Sequence, residues 1–79
     1  MTLKIISAEQ VEFEGEVTQV SLPGLMGRFQ VLRGHAAMIA ALQAGEATYT
    51  LQDDGTTVSL DIAGGVADVK NDVVSVCLY

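Results

Sequence analysis

The sequence of 79 residues has few of the side chains that metal and catalytic sites require. Its single cysteine, Cys77, excludes an internal disulfide and a cysteine-based metal cage. Its single histidine, His35, has no cluster of acids around it, so a zinc site would lack ligands. No serine lies in a Gly-x-Ser-x-Gly turn of the kind that exposes a hydrolase nucleophile. We therefore expect no catalytic residue and no bound metal.

Positive charge and long apolar runs are also scarce. Four basic residues oppose ten acidic ones, for a net charge of −6, which argues against binding to nucleic acid or anionic lipid. No apolar run reaches the roughly 18 residues of a transmembrane helix, and the N-terminus lacks a signal-peptide layout. Any contact with a membrane is therefore expected to pass through a protein partner.

Apolar residues are plentiful, at 49% of the chain, and they alternate with polar ones. Alternation with a period of two is typical of half-buried strands, and turn signals separate the runs. These features predict an all-β antiparallel sandwich or barrel in a single domain, residues 1–79. The predicted core residues are Phe13, Val20, Leu22, Tyr49, Leu51, Leu60, Ile62, Val74 and Val76.

Glycine, proline, asparagine and aspartate mark the expected turns. Pro23-Gly24, Asp53–Gly55, Gly64-Gly65 and Asn71-Asp72 each interrupt an alternating run. The segment Ala36–Leu42 is ambiguous, because its residues favour two helical turns while its flanks favour strands.

The loop Gly24–Gly27 carries unusual residues for a turn. A phosphate-binding loop would continue into a helix with Lys and Ser or Thr, whereas Arg28-Phe29-Gln30 follows here, so we reject a nucleotide site. Leu25 and Met26 are apolar where polar residues are expected, which suggests a contact surface.

Two further features are relevant to docking on a partner. Arg28 and Arg33 supply half of the basic charge in one region, which suggests a partner with carboxylates or backbone carbonyls. Met38 and Ile39 would face opposite ways in a strand. Either both are buried between two sheets, or one is the apolar centre of a docking patch.

Several segments resemble one known family over nearly the whole chain. The residues that carry the resemblance are Ser7–Gln10, Phe13–Gly15, Pro23-Gly24 with Gly27, Gly34–Ala36, Gly45, Ala63–Val66 and Val74–Val76. Their order and spacing are similar to those of the N-terminal β-domain of the epsilon subunit of rotary F-type ATP synthases. In that family Gly-His-Ala follows a proline, and a Ser-Gly-Gly turn precedes a hydrophobic residue.

The chain departs from the family pattern at three positions. Arg33 and Ala37 stand where family members have prolines, and Gln30 stands where a glycine is usual. The family also typically continues into a C-terminal helical hairpin that can inhibit ATP hydrolysis and, in some members, bind ATP. Since this chain ends at Tyr79, we expect it to lack inhibition by such a hairpin.

The resemblance implies a flattened antiparallel β-sandwich of two five-stranded sheets, and a non-catalytic central-stalk subunit without a cofactor or small-molecule substrate. It implies docking on the gamma subunit and the c-ring, where the subunit helps couple proton-driven rotation to ATP synthesis. The implied location is the cytoplasmic face of a bacterial inner membrane, with membrane contact only through the complex. We expect gamma-subunit contacts at Ser7, His35, Met38 and Ala40, and c-ring contacts at Leu25, Met26 and Arg28.

Two other classes remain open from the residues alone. One is a free-standing β-sandwich module that binds peptides or proteins through a sheet edge. The other is a small β-type carrier, which is disfavoured because the chain shows no carrier-lysine motif and no pattern of an apolar cavity.

Overall fold

The computed structural model describes all residues from Met1 to Tyr79 and contains eight strands. The strands are β1 (Thr2–Ile6), β2 (Val11–Gly24), β3 (Gly27–Leu32), β4 (Met38–Leu42), β5 (Gly45–Leu51), β6 (Thr57–Ile62), β7 (Gly65–Lys70) and β8 (Val73–Leu78). The chain forms no helix that could cross a membrane. The all-β, single-domain prediction is confirmed.

Strand β2 is 14 residues long and belongs to both layers of the sandwich. Its first half pairs with β1, and its second half pairs with β3 and β5. The pairing with β5 shifts between Val17 and Gln19. Because side chains alternate along a strand, this bulge changes which ones point inward. Val17 is buried before it, and Val20 and Leu22 are buried after it.

The two layers hold five and four strand segments. One contains the first half of β2 followed by β1, β8, β7 and β4; the other contains β3, the second half of β2, β5 and β6. The expected sandwich is therefore present, but the expected count of five strands in each sheet is not. The count differs because eight strands, one of them shared, supply nine segments. In addition, β1 and β8 pair in parallel, whereas every other pair is antiparallel.

The core confirms most of the predicted residues. Of the nine predicted, the buried ones are Val20, Leu22, Tyr49, Ile62, Val74 and Val76. Phe13, Leu51 and Leu60 are partly buried and pack against that core. The sequence-based selection omitted Leu3, Ile5, Val17, Val31, Leu42, Ala47, Ala67 and Val69, all of which are buried. No polar side chain is buried.

Turn chemistry follows the predictions. Asn71 and Asp72 both have positive φ, 53° and 59°, as a two-residue hairpin between β7 and β8 requires. Gly55, at φ 74°, closes the turn after β5. The helical alternative for Ala36–Leu42 is wrong, because Met38–Leu42 pairs residue by residue with β7. Backbone pairing in the sheet outweighs the helix propensity of these alanines.

Neighbouring valines on β8 give a matched test of the core. Val74 is fully buried, whereas Val73 beside it is 41% exposed. Val74→Ala should lower the free energy of unfolding by about 2 kcal/mol, because two methyl groups are lost and a small cavity remains. Val73→Ala should change it by less than about 0.5 kcal/mol. Urea unfolding followed by circular dichroism measures both, and equal effects would contradict the assigned burial.

The burial of Tyr49 should make the free energy of unfolding fall at alkaline pH. It packs on Phe13 with ring centroids 4.4 Å apart, and burial raises its pKa above the ordinary 10.0. The folded state thus holds the phenolic proton more tightly than the unfolded state, so this stabilisation is complete below pH 10 and is lost as pH rises through the raised pKa. Tyr49→Phe should therefore lose less stability between pH 9 and 11 than wild type (roughly the window of tyrosine titration). Identical slopes of unfolding free energy against pH would refute this role.

Candidate docking site

A groove of about 520 Å³ opens between the β2–β3 hairpin tip and strand β4. Its lining, here called the apolar groove, consists of Gly24, Leu25, Met26, Gly27, Arg28, Phe29, Met38, Ile39, Ala40 and Ala41. Seven of these ten residues are hydrophobic, so the groove is suited to apolar groups rather than to a polar substrate.

The hairpin tip presents apolar side chains to solvent on a tightly built turn. Leu25 is 62% exposed and Met26 fully exposed. The turn requires glycine at both ends: Gly27 has φ 125°, and a Cβ on Gly24 would lie 2.5 Å from the Gly27 carbonyl oxygen. The Leu25 amide donates to the Ala41 carbonyl at 2.8 Å, which fastens the tip to β4.

Strand β4 supplies the other wall of the groove. Met38 is half-buried and packs against the core, whereas Ile39 is 74% exposed. The alternative in which one of this pair faces solvent is therefore confirmed, and the interpretation that buries both is wrong. An isoleucine this exposed beside Leu25 and Met26 extends the apolar surface of the tip.

Arg28 is the only charged residue that lines the groove. Within the chain, the one ion pair joins the N-terminal ammonium of Met1 to Glu16 at 3.6 Å, so Arg28 has no carboxylate partner. The acidic residues Glu12, Glu14 and Glu16 lie exposed along the first half of β2, as a solvated face. A hydrogen bond from the Thr2 hydroxyl, with the nearby ammonium, lowers the pKa of Glu16.

His35 lies on a short loop between β3 and β4 that is fastened to the β7–β8 turn. The Gly34 amide donates to Oδ1 of Asp72 at 2.6 Å, and the His35 amide donates to the Leu32 carbonyl at 3.1 Å. Nδ1 of His35 lies 2.7 Å from the Ala36 carbonyl oxygen. The structure contains no group of three or more His, Cys, Asp or Glu side chains that could hold a metal ion.

The structure brings together five of the seven residues expected at partner contacts. Leu25, Met26, Arg28, Met38 and Ala40 all line the apolar groove. The two sets assigned to different partners thus adjoin on one surface.

Ser7 and His35 lie outside the groove and apart from each other. Ser7 follows Ile6, which pairs with Cys77 near the end of β8, whereas the His35 loop contacts the turn that precedes Val73 at the start of β8. At about 3.3 Å per residue, the four steps from Val73 to Cys77 span about 13 Å. Ser7 instead forms hydrogen bonds with Gln10 and Glu12. The expected gamma-subunit set is therefore not one compact patch.

Ile39 and Phe29 line the groove although neither was among the predicted contact residues. The alternation around Met38 identified Ile39 as a possible exposed residue, and this was the available signal. No local pattern placed Phe29 near β4, because that proximity depends on how the β2–β3 hairpin is positioned relative to β4.

Comparisons of the sequence and of the fold with known proteins both lead to ATP synthase subunits. The chain matches the family model for the ATP synthase, Delta/Epsilon chain, beta-sandwich domain over residues 1–78. Solved structures give the fold: a chain of the Euglena gracilis mitochondrial ATP synthase superposes with a TM-score of 0.86 at 23% identity, covering 96% of this chain and 48% of that one. A chain of the Tetrahymena thermophila mitochondrial ATP synthase central stalk and c-ring superposes with a TM-score of 0.81 at 11% identity, covering 99% and 62%.

Curated relatives agree with the family model. The ATP synthase epsilon chain of Chlorobaculum tepidum is 42% identical over 69 residues, which are 87% of this chain and 77% of that protein. The epsilon chain of Nitrobacter winogradskyi is 42% identical over 66 residues, which are 84% of this chain but only 47% of that protein. Epsilon chains are non-catalytic subunits of their complex. Because the family model spans all but one residue, the chain belongs to the ATP synthase delta/epsilon chain β-sandwich family.

Proposed function

We propose that this chain is a central-stalk subunit of a proton-translocating F-type ATP synthase. There it docks on the gamma subunit and on the c-ring and helps couple rotation to ATP synthesis. The observation that carries the proposal is the apolar groove, which gathers five residues expected at those contacts on a domain of this family. The relatives named above are bacterial, which supports a place on the cytoplasmic face of a bacterial inner membrane.

The c-ring contact is assigned to the hairpin tip formed by Leu25, Met26 and Arg28. These residues are exposed at the end of a hairpin, and the bond from Leu25 to Ala41 holds the tip against the body of the domain. A fastened tip transmits force to the domain with little ordering cost on binding, as a coupling element requires.

The gamma-subunit contact is assigned to Met38, Ala40, His35 and Ser7. Met38 and Ala40 extend the surface from the groove, and His35 follows on the loop that Asp72 fastens. Ser7 reaches the same partner only if gamma extends along the five-segment layer, because it lies near the opposite end of β8. An elongated contact of this kind suits a stalk.

Binding to the purified gamma subunit and c-ring tests the assignment. The wild-type chain should bind gamma one-to-one and also bind the c-ring. Met26→Glu should weaken c-ring binding by roughly tenfold or more, because a charge replaces a fully exposed apolar contact, while gamma binding is retained.

Val11→Glu is the matched control for c-ring binding. Val11 is 53% exposed and begins β2, at the opposite end of that strand from the tip. Met38→Glu is a poor probe because Met38 packs against the core. If neither subunit binds, the stalk assignment fails. Binding of unrelated peptides along a free sheet edge would then favour an interaction module.

Asp72 offers a test of the gamma-facing loop. Asp72→Gly keeps the positive φ but removes the acceptor for the Gly34 amide, so that amide should exchange about tenfold faster and gamma affinity should fall. Asp72→Asn keeps an acceptor oxygen, so it should preserve both the slow exchange of the Gly34 amide and the affinity for gamma. Hydrogen exchange by NMR and titration with gamma measure these quantities. Unchanged gamma affinity in Asp72→Gly would remove the His35 loop from the contact.

A further inference from the structure

We propose that the apolar groove binds an extended segment that places a carboxylate on Arg28 and an apolar side chain between Met26 and Ile39. This inference deepens the proposed function and rests on it for the identity of the partner as an ATP synthase subunit. It adds the chemistry of the docking segment, which neither the fold nor the family membership specifies.

Arg28 lies in the groove without a carboxylate partner. The chain carries ten acidic residues and a net charge of −6, yet none of the acids lines the groove. Docking an apolar segment there would remove water from a guanidinium that has no partner, which is costly. A carboxylate on the incoming segment removes that cost, and the planar guanidinium can donate two parallel hydrogen bonds to it.

The groove around Arg28 presents exposed apolar side chains. Met26 is fully exposed, Ile39 is 74% exposed and Leu25 is 62% exposed. Such a cluster is matched by an apolar side chain, and the thioether of methionine adapts to the shape of what enters. The partner segment therefore combines an apolar residue with a neighbouring acid, rather than a run of acids alone.

The backbone of β4 indicates that the segment is extended. This strand pairs with β7 along its length, but on its other side it pairs with β2 only at Leu42. The Ala41 carbonyl accepts from Leu25, so the backbone groups of Ile39, two residues earlier, point to the same side. No strand pairs with them there. An extended segment can add main-chain hydrogen bonds at this edge, as a helix cannot.

Two matched eight-residue peptides test the proposal on the whole chain. Both contain two leucines in an otherwise Gly/Ser sequence, and they differ only in one central residue, Asp or Lys. In 15N-resolved NMR titrations, the Asp peptide should shift amides of the groove, and the Lys peptide should bind at least about tenfold more weakly (a difference of about 1.4 kcal/mol).

Variants of two arginines supply the control. Arg28→Glu should reverse the preference between the peptides, and Arg28→Gln should abolish it. Arg33→Glu should leave it unchanged, because exposed Arg33 lies outside the groove lining. Equal binding of both peptides to wild type, or amide shifts confined to other surfaces, would overturn the proposal.

The outcomes separate this inference from the proposed function. A chain that binds the c-ring but shows no charge preference for the peptides refutes the inference alone. A chain that discriminates between the peptides but binds neither gamma nor the c-ring supports the groove chemistry and refutes the stalk assignment.

Discussion

The bulge in β2 is the constraint on which the rest of the domain depends. Val17 and Val20 are an odd number of residues apart, so in a regular strand they would point to opposite faces. The irregularity between Val17 and Gln19 turns both inward. The same strand can therefore bury side chains in both layers. Because β2 runs from one layer into the other, no separate loop is needed to connect them at this point. A domain this small benefits, because every strand face contributes to one core.

The same strand also creates the candidate site. At the end of β2, Pro23 and Gly24 lead into the hairpin tip and pair with β3, whereas β4 belongs to the other layer. Hydrogen bonds from Gln43 to Pro23 and from Leu25 to Ala41 hold the two together at this point only. Beyond it the layers part, and the apolar groove occupies the gap. The apolar groove is thus a consequence of how the sandwich closes.

Local patterns in the sequence were sufficient for most strands and turns, but they left Ala36–Leu42 ambiguous until its pairing with β7 was known. Alternation located the inward residues of β8, and Asn71-Asp72 identified its hairpin, because these signals involve only neighbouring residues. Alternation shows which face a residue takes but not how deeply it is buried. Leu3 and Ile5 are two residues apart and therefore share one face of β1, yet their burial comes from β8 and β2 on either side.

Long-range geometry could not be obtained in the same way. The parallel pairing of β1 with β8 joins the two ends of the chain, and no local signal specifies it. The adjacency of Arg28 and Ile39, and the separation of Ser7 from His35, likewise depend on strand order. Five of the seven residues that the resemblance to the epsilon family indicated line the groove, but the resemblance did not show that the two expected contact sets adjoin there.

The most direct test of the central claim, that the hairpin tip faces the rotor ring, is site-specific photo-crosslinking in the assembled enzyme. A benzophenone side chain would replace Met26, which is fully exposed, in a chain reconstituted into its ATP synthase. We expect a crosslink to the c subunit from this position and none to the c subunit from the same group at Val11. A crosslink from Met26 only to other subunits, or to none, would contradict it.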